Sequence, residues 1–105
     1  MNVRLFLDKF TSDEDVTTIL TPYLEDIRNS LPETRNVEID IESADHGLVA
    51  VHISGHLTTR QVSAFGLGSS LRTAAEQAAE DFIFFAMDVR KQDPISDFTM
   101  QEQWG

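Results

Sequence analysis

The alternation of apolar and polar residues predicts four β-strands, because successive side chains of a strand point to opposite faces. The clearest case places Val37, Ile39 and Ile41 on one face and acidic residues on the other. The fourth segment is the least regular, since its apolar residues fall on both faces. The predicted strands are residues 2–8, 36–43, 48–54 and 60–67.

Apolar residues recur at helical spacing in two further segments. The first helix is predicted to begin at a capping box formed by Thr11 and Glu14, to kink at Pro22 and to end at Pro32. The second follows a glycine turn over residues 66–70 and runs to about residue 91. At 100° per residue, one stripe of this helix should face the core. The stripe contains Leu71, Ala75, Ala78, Phe82, Phe85, Ala86 and Val89.

The element order is therefore β-α-β-β-β-α. Each strand offers one apolar face and each helix one apolar stripe, which predicts an α+β fold. We expect a four-stranded, mainly antiparallel sheet with two helices packed on one face. Residues 1–92 should form this single domain, with 93–105 as a C-terminal tail that is flexible or docks on the domain.

The charge of the chain restricts its partners. Eight lysines and arginines stand against 18 acidic residues, a formal net charge of −10 in 105 residues. Binding to nucleic acid depends on cations that replace counterions on phosphates, so the chain as a whole should be repelled by polyanions. A ribosome or RNA partner then needs a local basic patch or a second protein.

The chain contains no cysteine, which excludes disulfides, thiolate catalysis and cysteine-ligated metal sites. No apolar run approaches the length that spans a bilayer. These features predict a cytoplasmic protein without a membrane partner. No nucleophile, base and orienting group occur in a recognisable set, so we expect neither an enzyme nor a cofactor.

Several segments resemble the bacterial family of ribosome hibernation-promoting and ribosome-associated inhibitor proteins. The resemblance covers about residues 1–92, and its specific points are the opening Met1–Leu5, the capped helix from Thr11, the segments His46–Ala50 and Val62–Gly66, and the pair Ala74-Ala75. It implies the β-α-β-β-β-α fold and a role in translation regulation at the ribosome. That family uses basic residues along both helices, whereas these helices carry many acidic ones.

A second, overlapping resemblance is to double-stranded-RNA-binding domains, which share the α-β-β-β-α core. It rests on Asp45-His46, on Ser54-Gly55, and on residues 66–70 followed by an alanine-rich helix. That family places two lysines after the serine to grip phosphates. Leu71 and Arg72 occupy those positions here, so the resemblance implies the fold more than the binding of RNA.

A glycine- and serine-rich turn that opens a helix offers free amides to an anion. Alternatively, the glycines make the turn and Ser69 or Ser70 caps the helix. His46, His52 and His56 lie close in sequence, but histidines that alternate outward on a strand are usually polar surface, and no metal site is predicted. The candidate anion or RNA contacts are Arg60, Gly68, Ser69, Ser70 and Arg72.

Apolar residues also occur where the second helix should face solvent. Ile83, Phe84 and Met87 lie roughly opposite Ala78, which predicts a protein interface such as that of a homodimer. Alternatively, the tail covers them through Phe98 or Trp104. The candidate interface residues are Ile83, Phe84, Met87 and Trp104.

Three functions are compatible with these features. The first is a small non-enzymatic binding module that regulates a ribosome or another ribonucleoprotein. The second is an acidic protein–protein interaction module, a dimerisation domain or adaptor that has lost RNA binding. The third is an acidic inhibitor that mimics nucleic acid through Glu38, Asp40 and Glu42.

Overall fold

A computed structural model describes residues 2–8 and 15–91 of the chain. Its elements follow the order β-α-β-β-β-α, which confirms the predicted fold. They are β1 (Val3–Asp8), α1 (Val16–Ser30), β2 (Arg35–Ser43), a single 3₁₀ turn (Asp45–Gly47), β3 (Val49–Leu57), β4 (Arg60–Gly68) and α2 (Leu71–Lys91).

The four strands form one sheet in the order β1-β2-β3-β4. β1 is parallel to β2, because α1 carries the chain back between them, and β2, β3 and β4 form an antiparallel meander. One face of the sheet is buried under α1 and α2, and the opposite face is open to solvent. The buried face includes Ile39, Val51 and Ile53, all at most 1% exposed.

The central hairpin is longer than predicted. Gly55 and His56 were expected in a connection, but they belong to β3, which pairs with β4 as far as Leu57 and Arg60. Thr58, with a φ of 57°, makes the turn instead. Gly55 suits this strand because the ring of Phe82 packs against it, leaving only 3.1 Å to the position of a Cβ atom.

The helix α1 begins at Val16, where the carboxylate of Asp15 accepts a hydrogen bond from the Thr17 amide at 3.0 Å. The predicted capping box of Thr11 and Glu14 lies outside the described residues. Pro22 lies inside α1, which continues through it as one helix instead of dividing into two. It ends at Ser30, just before Pro32.

The helix α2 packs more closely on the sheet than two ordinary elements do. A Cβ atom on Gly66 would lie 1.9 Å from the Ala74 carbonyl oxygen and 2.7 Å from the Ala78 nitrogen. Gly66 and Gly68 therefore belong to β4 and permit its contact with the helix, instead of forming the predicted glycine turn. The turn itself is made by Ser69 and Ser70.

The predicted core stripe of α2 is correct except at Phe85, and its last member, Val89, is partly buried against the core. Leu71, Ala75, Ala78, Phe82 and Ala86 are buried, but Phe85 is 48% exposed. Ala79 is also buried, and Ile83 and Met87 pack against the core. The buried face is thus rotated by about 40° from Ala78 toward the flank that faces α1.

The strand β1 is covered less completely than the other strands. Leu5, Phe6 and Leu7 are 38%, 42% and 49% exposed. On the helix side, an apolar groove of about 250 Å³ lies between this strand and α1. Within the described ranges, neither helix is long and apolar enough to cross a membrane.

Candidate interaction surfaces

The open face of the sheet carries a row of four side chains, one from each strand. Phe6 pairs with Asp40, Asp40 with His52, and His52 with Phe65. The rings of His52 and Phe65 stack with centroids 4.6 Å apart, and His52 Nδ1 lies 3.7 Å from the Asp40 carboxylate. Phe65 is nevertheless 65% exposed. The row thus presents aromatic rings at its two ends and a carboxylate between them.

A depression of about 240 Å³ lies beside this row. Ala50 occupies the next outward position of β3, opposite Glu42 and Leu67, and its small side chain leaves the space open. Phe6 and Phe65 line the depression together with Asp40 and Glu42. We call this feature the sheet trough, formed by Phe6, Asp40, Glu42, Ala50, His52 and Phe65.

A second, more polar depression of about 330 Å³ lies further along the open face. Arg4 lies at its edge, 3.6 Å from the Glu38 carboxylate and with its guanidinium 5.6 Å from the centroid of the Phe6 ring. His56 lines the same depression, and its buried Nδ1 atom has no hydrogen-bond partner within the described part of the chain. Neutral and charged hydrogen-bonding side chains therefore surround one carboxylate, that of Glu38, in this depression.

Basic residues gather at one end of the domain. β2 begins beside the end of β3, where Arg35 pairs with His56, and the Arg35 guanidinium donates to the Thr58 carbonyl oxygen. Both helices also end here, because each runs antiparallel to the strand that precedes it. We call this the hairpin end. Five of the seven lysines and arginines in the described ranges belong to it, namely Arg28, Arg35, Arg60, Arg90 and Lys91.

Arg90 ties the ends of the two helices together. Its Nε and Nη2 atoms each donate to the Glu33 carboxylate at 2.7 Å, and Nη2 also donates to the Ser30 carbonyl oxygen at 3.0 Å. The hydrogen bonds from Arg90 lower the pKa of Glu33, and those to Glu33 raise the pKa of Arg90. Arg90 thus has a structural role, whereas Arg28, Arg60 and Lys91 extend into solvent.

The predicted anion contacts fall at opposite ends of the sheet. Arg60 begins β4 at the hairpin end, and Gly68 ends that strand. Nine residues of strand extend about 27 Å, so one small anion cannot touch both. Ser70 caps α2: its hydroxyl accepts a hydrogen bond from the Thr73 amide at 3.2 Å. Ser69 and Arg72 are exposed beside it.

The predicted protein interface is divided by the structure. Ile83 and Met87 are partly buried against the core, so the expectation that they face solvent was wrong. Phe84 remains 61% exposed, and its ring lies 5.9 Å from that of the exposed Phe85. Trp104 lies outside the described residues. Phe84 and Phe85 therefore form the apolar patch of α2.

The three histidines do not form a metal site with other ligands. His52 and His56 share the open face of β3, four residues apart, and His46 lies in the 3₁₀ turn with a φ of 63°. Among residues 2–8 and 15–91, no three histidine or carboxylate side chains are close enough to hold a metal ion.

Comparison with solved structures shows that other proteins share this fold. No protein-family model matches the chain, and no curated protein sequence is similar to it. A solved structure of a ribosomal subunit interface protein from Coxiella burnetii superposes with a TM-score of 0.76, over 87% of this chain and 99% of that one, at 10% sequence identity. The fold is that of a ribosomal subunit interface protein. The N-terminal domain of Protein Y from Thermus thermophilus is also similar, with a TM-score of 0.68 at 12% identity over 82% of this chain and 96% of that domain.

The predicted resemblance to hibernation-promoting proteins is thus confirmed at the level of the fold. The resemblance to double-stranded-RNA-binding domains gains no support from these two structures. Sequence reasoning missed the two surfaces that the fold assembles. The hairpin end collects residues from four elements, and the sheet trough depends on strand register, so neither appears as a local motif. The alternation in β2 was the one usable signal, since it placed Asp40 and Glu42 on the open face.

Proposed function

We propose that this chain is a small, non-enzymatic binding module that associates with a ribosomal subunit or another ribonucleoprotein and regulates translation. The proposal is supported by the likeness in fold to a ribosomal subunit interface protein, which covers 87% of this chain and almost all of the other. Because that likeness covers most of both chains, it is not a local coincidence of one hairpin or helix.

The net charge of −10 opposes contact with RNA, so the proposal needs a part of the surface where this repulsion is reversed. The hairpin end meets that need. Arg28, Arg60 and Lys91 are exposed there, and one of the acids at this end, Glu33, is already paired with Arg90. We infer that the hairpin end faces ribosomal RNA and that the acidic remainder of the surface faces away from it.

Cosedimentation with purified ribosomal subunits in sucrose gradients tests the proposal. We expect binding that weakens as salt rises, with a shallow slope because few cations take part. Arg60→Glu should reduce the bound fraction several-fold. Arg72→Glu is the matched control, since it makes the same charge change at the far end of β4. Absence of the protein from ribosomal fractions at all salt concentrations would refute the proposal.

A protein-interaction module is the second candidate, and the exposed pair Phe84 and Phe85 favours it. Light scattering should then show a dimer or stable complex that the double substitution of Phe84→Asp and Phe85→Asp abolishes. A monomer in both proteins would remove this candidate. The acidic mimic of nucleic acid is less favoured, because Glu38, one of its three acidic residues, lies beside Arg4.

A further inference from the structure

The sheet trough combines two kinds of side chain that rarely share an open sheet face. The solvent face of an antiparallel sheet usually carries polar residues, yet Phe6 and Phe65 are 42% and 65% exposed here, and the adjoining Leu67 is 52% exposed. They flank carboxylates from β2, on a chain with a large negative charge. Exposed aromatic side chains grouped on an otherwise polar sheet face are typical of a binding surface.

The side chains of the trough favour a ligand with positive charge. Asp40 and Glu42 repel phosphate, which excludes stacking of nucleic acid bases on Phe6 and Phe65 as an unaided mode of binding. Aromatic faces and carboxylates both attract a cation, and an arginine or lysine side chain also brings an apolar stem. The chain itself provides an example, because the Arg4 guanidinium lies over the Phe6 ring and beside Glu38.

The dimensions suit a polypeptide segment. Phe6 and Phe65 stand on the two outer strands, so three interstrand spacings, about 14 Å, separate their backbones. Ala50 leaves the floor between them low, and the depression extends alongside the row instead of closing over it. One extended chain can lie there with successive basic side chains reaching Asp40 and Glu42.

We propose that the sheet trough is a docking surface for an arginine- or lysine-rich segment of a partner protein. Its aromatic rings hold the stems and the guanidinium groups, and its carboxylates neutralise the charge. The proposal goes beyond ribosome association, since it requires no contact with RNA and uses a different surface from the hairpin end. The proposal rests on charge complementarity and applies to any partner protein that carries an arginine- or lysine-rich segment.

Fluorescence anisotropy with a labelled peptide of alternating arginine and alanine tests this directly, without ribosomes. A polycation is attracted to any acidic protein, so the control must hold the net charge constant. The double substitution of Asp40→Asn and Glu42→Gln should weaken binding about fivefold or more. Glu76→Gln with Glu80→Gln removes the same charge from exposed positions of α2, and it should change binding less than about twofold.

A second pair of variants separates the aromatic contribution from charge. Phe65→Ser should weaken peptide binding, whereas Phe84→Ser, which removes a phenyl ring of similar exposure from α2, should not. Equal losses in both charge variants would show general electrostatic attraction only and would overturn the proposal. Binding of a labelled uridine oligonucleotide that Phe65→Ser abolishes would also overturn it, in favour of RNA. Circular dichroism of each variant checks the fold.

Discussion

Substitution of Gly66 by alanine should separate α2 from the sheet. The added Cβ atom would lie 1.9 Å from the Ala74 carbonyl oxygen, about 1.5 Å short of ordinary contact, and 2.7 Å from the Ala78 nitrogen. Both are backbone atoms of a helix and cannot rotate away. The helix must therefore move as a body, and its face of Ala74, Ala78 and Phe82, each at most 1% exposed, loses contact with the sheet.

The expected cost follows from these contacts. Overpacking of a core by one carbon costs about 1–3 kcal/mol when flexible side chains can adjust. Because backbone atoms block the adjustment here, we expect a loss of about 3 kcal/mol or more, a large share of the stability of a small domain. The melting temperature should fall by about 12 °C or more. Circular dichroism is the suitable probe, since the only tryptophan, Trp104, lies outside the described residues.

Gly47→Ala is the matched control. Gly47 has a φ of 73° with no atom within 4 Å of its Cβ position, so the same added methyl group costs only the left-handed backbone, about 1–2 kcal/mol. The reasoning would be refuted if Gly66→Ala destabilised the domain by less than about 1 kcal/mol, or by no more than the control. Either result would mean that β4 and α2 do not approach each other as closely as described.

Three further substitutions test other contacts by thermal or urea unfolding. Asp15→Ala should cost about 1 kcal/mol because it removes the N-cap of α1, and Asp15→Asn, which can still accept the hydrogen bond, should cost less. Arg90→Ala should cost about 1 kcal/mol, since both partners of the ion pair are more than a third exposed. Because the pKa of Glu33 is lowered in the folded state, the pair stabilises the domain above the ordinary glutamate pKa, and this contribution disappears as pH falls through the folded pKa. Arg90→Ala should therefore reduce the loss of unfolding free energy that the domain shows as pH falls through this range. Thr34→Val should stabilise the domain by roughly 1 kcal/mol, because the Thr34 hydroxyl is buried without a hydrogen-bond partner among the described residues.

The order of elements could be predicted because each carries its own periodicity. β2 alternates cleanly, and its apolar residues are all buried. The end of β3 could not be predicted in the same way, since Gly55 and His56 have the composition of a turn. Gly55 suits a strand at this position because Phe82, twenty-seven residues later, packs against it. A contact between distant segments leaves no trace in local composition.

The exposed residues of α2 show a second limit of periodicity. A helical wheel gives the angle between side chains, but it does not say which flank a neighbouring helix covers. On the helical wheel, Phe85 lies at the angular position of the core residues, yet it is exposed. Ile83 and Met87 lie far from that angular position, yet they pack against the core. The position of α1 decides this difference, and Arg90, which bonds to Ser30 and Glu33, marks the flank on which α1 lies.

The same reasoning explains why total charge is a poor guide to this domain. Arg28, Arg35, Arg60 and Lys91 are far apart in the sequence and seem scattered among acidic residues. The crossover of α1 and the antiparallel course of α2 bring them to one end, while the register of the sheet aligns Asp40 and Glu42 on the open face. A net charge of −10 is thus compatible with two surfaces of opposite preference. The two proposals assign phosphate to the first surface and a basic protein segment to the second, and together they would have a single small domain contact both components of a ribonucleoprotein.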